Sequence, residues 1–198
     1  MNLFRYKLSL TLCLLFLFAC NSDYTVGKRR GYFKIDFPEK NYRQFDQPGY
    51  PYTFQYPVYA AILKDTTFFE TTPENPWWIN VDFPQFGARV HISYKEIGKT
   101  KFDSLVNDAF QLSYKQHTYK ASAIESQEIA TPNNVHGIYF TLAGNTATAN
   151  QFFLTDSTKH FLRGALYFAA TPNEDSIGIV NDFLKQDLWH LINTLQWK

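Results

Sequence analysis

Hydrophobic and polar residues alternate in the first half of the chain in a pattern that predicts β-strands. The alternating segments are residues 32–37, 52–63, 77–83 and 87–94. Pro57 lacks the backbone donor that a strand ladder needs, so the second segment should form an edge strand or a broken strand. Only residues 84–86 separate the last two segments, which predicts a hairpin. Residues 41–51 and 65–76 are predicted connections.

The spacing of apolar residues changes to that of a helix over residues 101–117, where they fall on one stripe. Four more strand-like segments then follow, at residues 122–130, 135–143, 146–155 and 160–170. Turn-forming residues separate these segments, which predicts a meander of sequential hairpins. A second helix is predicted from Thr171, as its N-cap, to near the C-terminus, because apolar residues again recur three and four positions apart.

The order of these elements predicts an α+β fold. Sequential hairpins build an antiparallel sheet of about six to eight strands, and each helix has one apolar stripe that must pack on a sheet face. Internal repeats and linkers are missing from the sequence, so residues 32–198 should form a single globular domain. The element order resembles the sandwich fold shared by PsbP-like lipoproteins and Mog1, a likeness that implies no function by itself.

The N-terminus has the features of a lipoprotein signal peptide. Arg5 and Lys7 precede an apolar run at residues 8–18, which is too short for the about 20 residues that a membrane-spanning helix needs. The sequence Leu-Phe-Ala-Cys that ends at Cys20 resembles the bacterial lipobox, in which the cysteine sulfur takes up a diacylglyceryl group. We therefore expect residues 1–19 to be removed and Cys20 to be lipidated. An ordinary secretory signal that is cut nearby is the alternative.

Lipidation of Cys20 would fix the protein to a membrane. Each buried methylene stabilises attachment by about 0.8 kcal/mol, so two or three acyl chains would hold the protein almost permanently. Residues 20–31 are then the lipidated cysteine and a flexible polar tether. The residue directly after the lipidated cysteine is Asn21. An Asp at that position favours retention in the inner membrane in some bacteria. We expect a lipoprotein of the cell envelope that faces the periplasm, at the outer membrane in preference to the inner one.

Composition narrows the classes of function. Aromatic residues make up 18% of the chain, which favours sheets and large buried surfaces. The net charge is +1, and removal of residues 1–19 changes it to −1, so no overall field attracts nucleic acid. Cys13 lies in the segment to be removed, which leaves the mature domain without a thiol for a disulfide, a nucleophile or a metal site.

Motifs for catalysis or cofactors are missing from the sequence. The five histidines are His91, His117, His136, His160 and His190. Their spacing does not match a metal-binding pair, and the chain has no G-x-S-x-G elbow and no phosphate-binding glycine loop. Asp156, Ser157 and His160 share one tight turn, where a catalytic triad cannot readily form. We therefore expect no enzyme activity, no metal, no nucleotide and no cofactor besides the covalent lipid.

Two groups of residues are candidates for binding a partner. Trp77 and Trp78 follow a predicted loop, and indoles bind both sugars and proteins; alternatively, one packs under a helix and the other under the loop. The second group is Asp156, Lys159, His160 and Arg163. These four side chains are expected to be exposed at or near a hairpin tip, as a docking site or as solvated charges.

Several segments of the chain resemble the gliding motility lipoprotein GldD family. They are Cys20 with its lipobox, YFKIDFPEKNY (32–42), PYTFQYPVYA (51–60), WWINVDFP (77–84), QFFLTDSTKHFLRGALYF (151–168) and the terminal Trp-Lys. The resemblance implies an envelope lipoprotein that gliding motility and the associated type IX secretion machinery require, with envelope proteins as partners. It assigns no catalytic residue, and Cys20 is the position that carries over. A peptidoglycan-binding or glycan-binding module is the alternative.

Overall fold

The computed structural model describes residues 34–64 and 73–198. The predicted signal peptide, Cys20 and the tether lie outside the described residues, as does most of the predicted loop at 65–76. The chain divides into two units, residues 1–35 and 36–198, and the elements below belong to the second.

The described residues form ten strands and two α-helices. The strands are β1 (Tyr42–Phe45), β2 (Tyr52–Pro57), β3 (Ala61–Lys64), β4 (Ile79–Phe83), β5 (Ala88–Glu96), β6 (Ala121–Thr131), β7 (Val135–Gly144), β8 (Asn150–Thr155), β9 (His160–Phe168) and β10 (Gln196–Trp197). The helices are α1 (Phe102–Tyr114) and α2 (Glu174–Thr194). Seven strands form an antiparallel sheet in the order β3-β4-β5-β9-β8-β7-β6, and β1-β2-β10 form a smaller antiparallel sheet.

The large sheet has a hydrophobic core on each face. On one face, side chains such as Val90 and Ile92 pack with the small sheet and with Leu188 of α2. On the other face, Phe140, Leu142, Phe153 and Phe161 pack with Leu105 and Ala109 of α1. Successive residues of a strand point to opposite faces, so β7, β8 and β9 contribute to both cores. The predicted α+β architecture, with two helices on an antiparallel sheet, is confirmed.

Two predictions near the first strands need correction. Residues 34–41 form no strand, although alternation predicted one at 32–37. The ring of Phe37 instead stacks on Phe183 of α2, with ring centroids 4.3 Å apart. Alternation there reflects packing of single side chains, not a strand ladder. The strand β1 lies within residues 41–51, which were predicted to be a connection, and only its last residue is buried.

Two further predictions about strands are confirmed, and one about a helix cap is wrong. The segment at 52–63 breaks after Pro57, as predicted, and continues as β3. The hairpin of β4 and β5 also forms, with a 3-10 turn at Pro84–Phe86. The N-cap of α2 is Asn173, whose side chain accepts a hydrogen bond from the backbone N–H of Ser176. The prediction of Thr171 as this cap was wrong.

Gly137 of β7 has no room for a side chain, and its replacement should destabilise the protein. A Cβ atom there would lie 1.9 Å from the carbonyl oxygen of Phe153, which belongs to the neighbouring strand. Because backbone must move to relieve the clash, Gly137→Ala should lower the free energy of unfolding by about 1–3 kcal/mol, as overpacking does elsewhere. Urea denaturation measures the change.

The same substitution in α2 provides the control. A Cβ at Gly178 would meet nothing within 4 Å, so Gly178→Ala should raise the free energy of unfolding by about 0.5–1 kcal/mol through better helix propensity. Equal stabilities of the two variants would contradict the described packing of β7 on β8.

Candidate functional site

Trp77 and Trp78 are both held by hydrogen bonds to backbone carbonyls. The indole N–H of Trp77 donates to Gly49 at 2.8 Å, and that of Trp78 donates to Tyr94 at 2.9 Å. The Trp77 ring makes an edge contact with the ring of Tyr94, whereas Trp78 is 8% exposed and lines a groove beside Leu105 of α1. Trp78 is thus a buried member of the hydrophobic core. Most of the loop at 65–76, under which the other indole was predicted to pack, lies outside the described residues. Binding of a partner by either indole stays a prediction.

Asp156 organises the turn between β8 and β9. Its Oδ1 accepts hydrogen bonds from the backbone N–H groups of Thr158, Lys159 and His160 at 2.8–3.0 Å. Burial opposes the ionised form, but these donors outweigh it and lower the pKa of Asp156 to about 2. The carboxylate therefore closes a turn, and Lys159 beside it is exposed.

His160 lies inside the domain, at the first position of β9. It is 4% exposed, and its Nδ1 lies 2.7 Å from the hydroxyl oxygen of Tyr94. Its ring stacks on Trp197 of β10, with centroids 5.1 Å apart and an interplanar angle of 4°. The imidazole thus joins the large sheet to the C-terminal strand.

Arg163 lies on the opposite face of β9 and is also partly buried. Its Nη2 donates to Oε1 of Gln151, which also accepts from the hydroxyl of Ser113 at 3.3 Å. Burial lowers the pKa of the Arg163 guanidinium. The prediction that Asp156, Lys159, His160 and Arg163 form one exposed tip is therefore wrong for His160 and Arg163, which point to opposite faces. A docking role for these residues stays a prediction.

Acid should destabilise the protein through His160. Burial lowers the pKa of His160 from 6.5, and the Asp156 carboxylate opposes this shift only in part. The unfolded chain therefore takes up a proton first as the pH falls. The favourable contribution of neutral His160 is complete above pH 6.5 and is lost progressively below it. The melting temperature should therefore fall as the pH is lowered from about 6.5 to about 5.

Substitution of His160 separates its contribution to the pH dependence of stability from the contributions of other titrating groups. His160→Gln keeps a polar side chain without titration, so its melting temperature should depend less on pH than that of the wild type. His136 is exposed to solvent, and His136→Gln should leave the pH dependence as it is. An unchanged pH dependence in His160→Gln would contradict the burial of this ring.

Sequence reasoning did not identify a buried polar cluster around Asp187 of α2. The side chain of Asp187 is 1% exposed, and its Oδ2 lies 2.8 Å from Nζ of Lys40. The hydroxyls of Tyr42 and Tyr59 donate to its two oxygens at 3.0 and 2.5 Å. Burial, followed by the Asp187 carboxylate, raises the pKa of Tyr42 to about 12. This cluster fastens the segment before β1 to α2.

The outer edge of β6 is the most extended unpaired backbone among the described residues. The strand covers 11 residues, and within the described ranges it pairs with β7 alone. Most of its side chains are exposed, among them Glu125 and Glu128, and the preceding Tyr119 is 97% exposed. An edge of this length can accept another strand.

Neither a metal cluster nor a membrane span stands out in the part of the chain that the structure describes. At residues 34–64 and 73–198, no three His, Cys, Asp or Glu side chains converge as metal ligands do. The helices of the same ranges are too short or too polar to cross a membrane.

Comparison with known proteins identifies the family. A search of the curated proteins finds no match. Among solved structures, the chain is similar to cyanobacterial PsbP (CyanoP) from Synechocystis sp. PCC 6803, with 8% identity and a TM-score of 0.43 over 81% of this chain and 95% of that chain. The model of the family described as gliding motility lipoprotein GldD matches residues 22–197. Because this match covers nearly all of the sequence, the chain belongs to the gliding motility lipoprotein GldD family, whose members are membrane-anchored lipoproteins of the cell envelope.

Proposed function

We propose that this protein is a non-enzymatic interaction factor that supports gliding motility and the associated type IX secretion machinery. A lipid on Cys20 holds it at the periplasmic face of a membrane, the outer membrane in preference to the inner one. The observation that carries the proposal is the family match over residues 22–197. The accessory or assembly role rests on the surface features of the domain.

The outer edge of β6, which is unpaired within residues 34–64 and 73–198, supports docking of an extended partner segment. Backbone N–H and C=O groups along such an edge can pair with an added strand, which gives affinity through main-chain hydrogen bonds. The strand contains neither proline nor lysine, two residues that natural edges use against pairing. An envelope protein that adds a strand here would extend the large sheet.

The exposed carboxylates of Glu125 and Glu128 favour a basic partner strand, and they disfavour a second copy of this chain in the register that brings them together. Two antiparallel copies of β6 centred between Ser126 and Gln127 would place Glu125 opposite Glu128. Like charges directly opposite each other destabilise a strand pair, whereas opposite charges stabilise it by about 0.2–1 kcal/mol. We expect the partner strand to carry Lys or Arg opposite these two carboxylates.

The alternative of glycan binding has less support. Sugar recognition by tryptophan needs an open indole face, and Trp78 is buried against the sheet. The double variant Trp77→Ala/Trp78→Ala would separate the two functions: loss of co-sedimentation with purified cell wall would support the glycan-binding module.

Deletion of the gene tests the proposed function. The deletion strain should lose gliding and retain type IX cargo inside the cell, and the wild-type gene should restore both. Glu125→Lys/Glu128→Lys should restore less, because two lysines repel a basic partner strand. Glu39→Lys/Asp182→Lys changes the charge equally at exposed positions elsewhere and should restore function fully. Normal gliding and secretion in the deletion strain would overturn the proposal.

A further inference from the structure

A groove between α1 and the large sheet contains a cation, Arg163, that has no carboxylate partner within residues 34–64 and 73–198. The groove has a volume of about 330 Å³, within the size range of small-ligand sites. Its walls include Trp78, Leu105, Ala109 and Phe161, and its polar lining includes Ser93 and Arg163. Ser93 and Arg163 are directly paired residues of β5 and β9, so they lie side by side on the groove floor.

Arg163 has unused hydrogen-bonding capacity in this groove. A guanidinium offers five N–H donors, yet Arg163 makes one described hydrogen bond, to the neutral amide of Gln151. It forms no ion pair with any carboxylate at residues 34–64 or 73–198. By contrast, Arg89 on the same sheet face pairs with Asp82 at 2.8 Å. Partial burial of an unpaired charge is unfavourable, and a bound anion would relieve it.

The other charges in the groove also favour an anion. Lys95 lines it and contacts Glu74 at 2.9 Å, where the Glu74 side chain is 61% exposed, and an exposed ion pair of this kind contributes only about 0–1 kcal/mol. Asp108 enters the lining from α1 and forms no ion pair with Arg163. Among the described lining residues, two cations therefore face one carboxylate, and the remaining surface is mainly apolar.

We propose that this groove binds the C-terminal residue of a partner polypeptide, with its carboxylate on Arg163 and its apolar side chain against Leu105 and Phe161. A planar guanidinium binds a carboxylate through two parallel hydrogen bonds, which suits it to this group better than to a neutral amide. The groove is partly open to solvent, and Gln111 and Leu112 of α1 also line it, so the preceding residues of the partner chain can lie over these two side chains. This site is distinct from the β6 edge, and its test does not depend on the proposed function.

Peptide titration of the acylated full-length protein in detergent micelles tests the inference. The probe is acetyl-Gly-Gly-Ser-Ala-Leu with a free carboxylate, and the controls are its C-terminal amide and N-acetyl-leucine. Isothermal titration calorimetry should give saturable binding of the acid, with roughly 10-fold to 100-fold weaker binding of the amide, the range for a hydrogen bond to a charged group. N-acetyl-leucine should bind more weakly than the peptide acid, because it lacks the preceding residues.

Variants locate the binding in the groove. Arg163→Gln should weaken binding of the peptide acid to the level of the amide, and Arg163→Lys should retain part of the difference. Arg89→Gln removes an arginine from the same sheet face outside the groove and should leave binding unchanged. Equal binding of acid and amide by the wild type would overturn the inference, even if Arg163→Gln fails to fold. Equal binding of N-acetyl-leucine and the peptide acid would overturn the polypeptide as the occupant.

Discussion

Replacement of Cys20 by serine should release the protein from the membrane. The lipid is attached through the cysteine sulfur, and serine offers no thiolate to accept it. Loss of two or three acyl chains removes tens of kcal/mol of attachment free energy, at about 0.8 kcal/mol per buried methylene. Cys20→Ser should therefore be recovered as a soluble, unacylated protein. Metabolic labelling with a fatty acid, followed by detergent phase partitioning, measures both properties.

Cys13 provides a matched control for this experiment. It is the other of the two cysteines in the chain and lies within the segment predicted to be removed. Cys13→Ser should still incorporate fatty acid and partition with membranes. Fatty-acid labelling of Cys20→Ser at the wild-type level would contradict lipidation at Cys20 and would favour an ordinary secretory signal.

Asp187→Ala should be among the most destabilising substitutions in the domain. It would leave the ammonium of Lys40 partly buried without its carboxylate, and the hydroxyls of Tyr42 and Tyr59 without their acceptor. Removal of one partner of a buried ion pair costs about 3–5 kcal/mol. We expect about 3 kcal/mol, the lower end of that range, because the Lys40 side chain is 24% exposed. Urea denaturation followed by tryptophan fluorescence measures the change.

Asp182 serves as the matched control on the same helix. It is exposed on α2, and Asp182→Ala should change the free energy of unfolding by less than about 0.5 kcal/mol. The two variants remove the same charge from one helix, so the difference between them isolates the buried cluster. Similar stabilities would mean that Lys40 and the two tyrosines find other partners when Asp187 is absent.

The hydrophobic pattern, together with turn residues, predicted the longer elements of the fold. The hairpin of β4 and β5, the meander from β6 to β9 and both helices were predicted because their hydrophobic patterns repeat several times. The strands β1 and β10 have four and two residues, which is too few for a pattern to be recognised. They form because β2 lies between them and supplies the hydrogen-bonding edges.

The candidate site was harder to predict because burial depends on what covers each sheet face. His160 lies on the same face of β9 as Leu162 and Leu166, which are buried. Alternation along the strand therefore did contain a signal for the burial of His160. Arg163 lies on the same face of β9 as Phe161, and α1 packs on that face. The cluster at Asp187 joins residues that lie more than a hundred positions apart, and no local pattern reports such a contact.

In-cell crosslinking tests the central claim of the account, that a lipid-anchored domain binds protein partners of the gliding and secretion machinery. A photoreactive residue at Gln127, exposed on β6, and a control at Glu39 would be introduced into the full chain, and crosslinked products would be identified by mass spectrometry. We predict that position 127 crosslinks to protein components of that machinery and that position 39 does not. Crosslinks from position 127 to peptidoglycan alone, or to no more protein than the control position, would contradict the account.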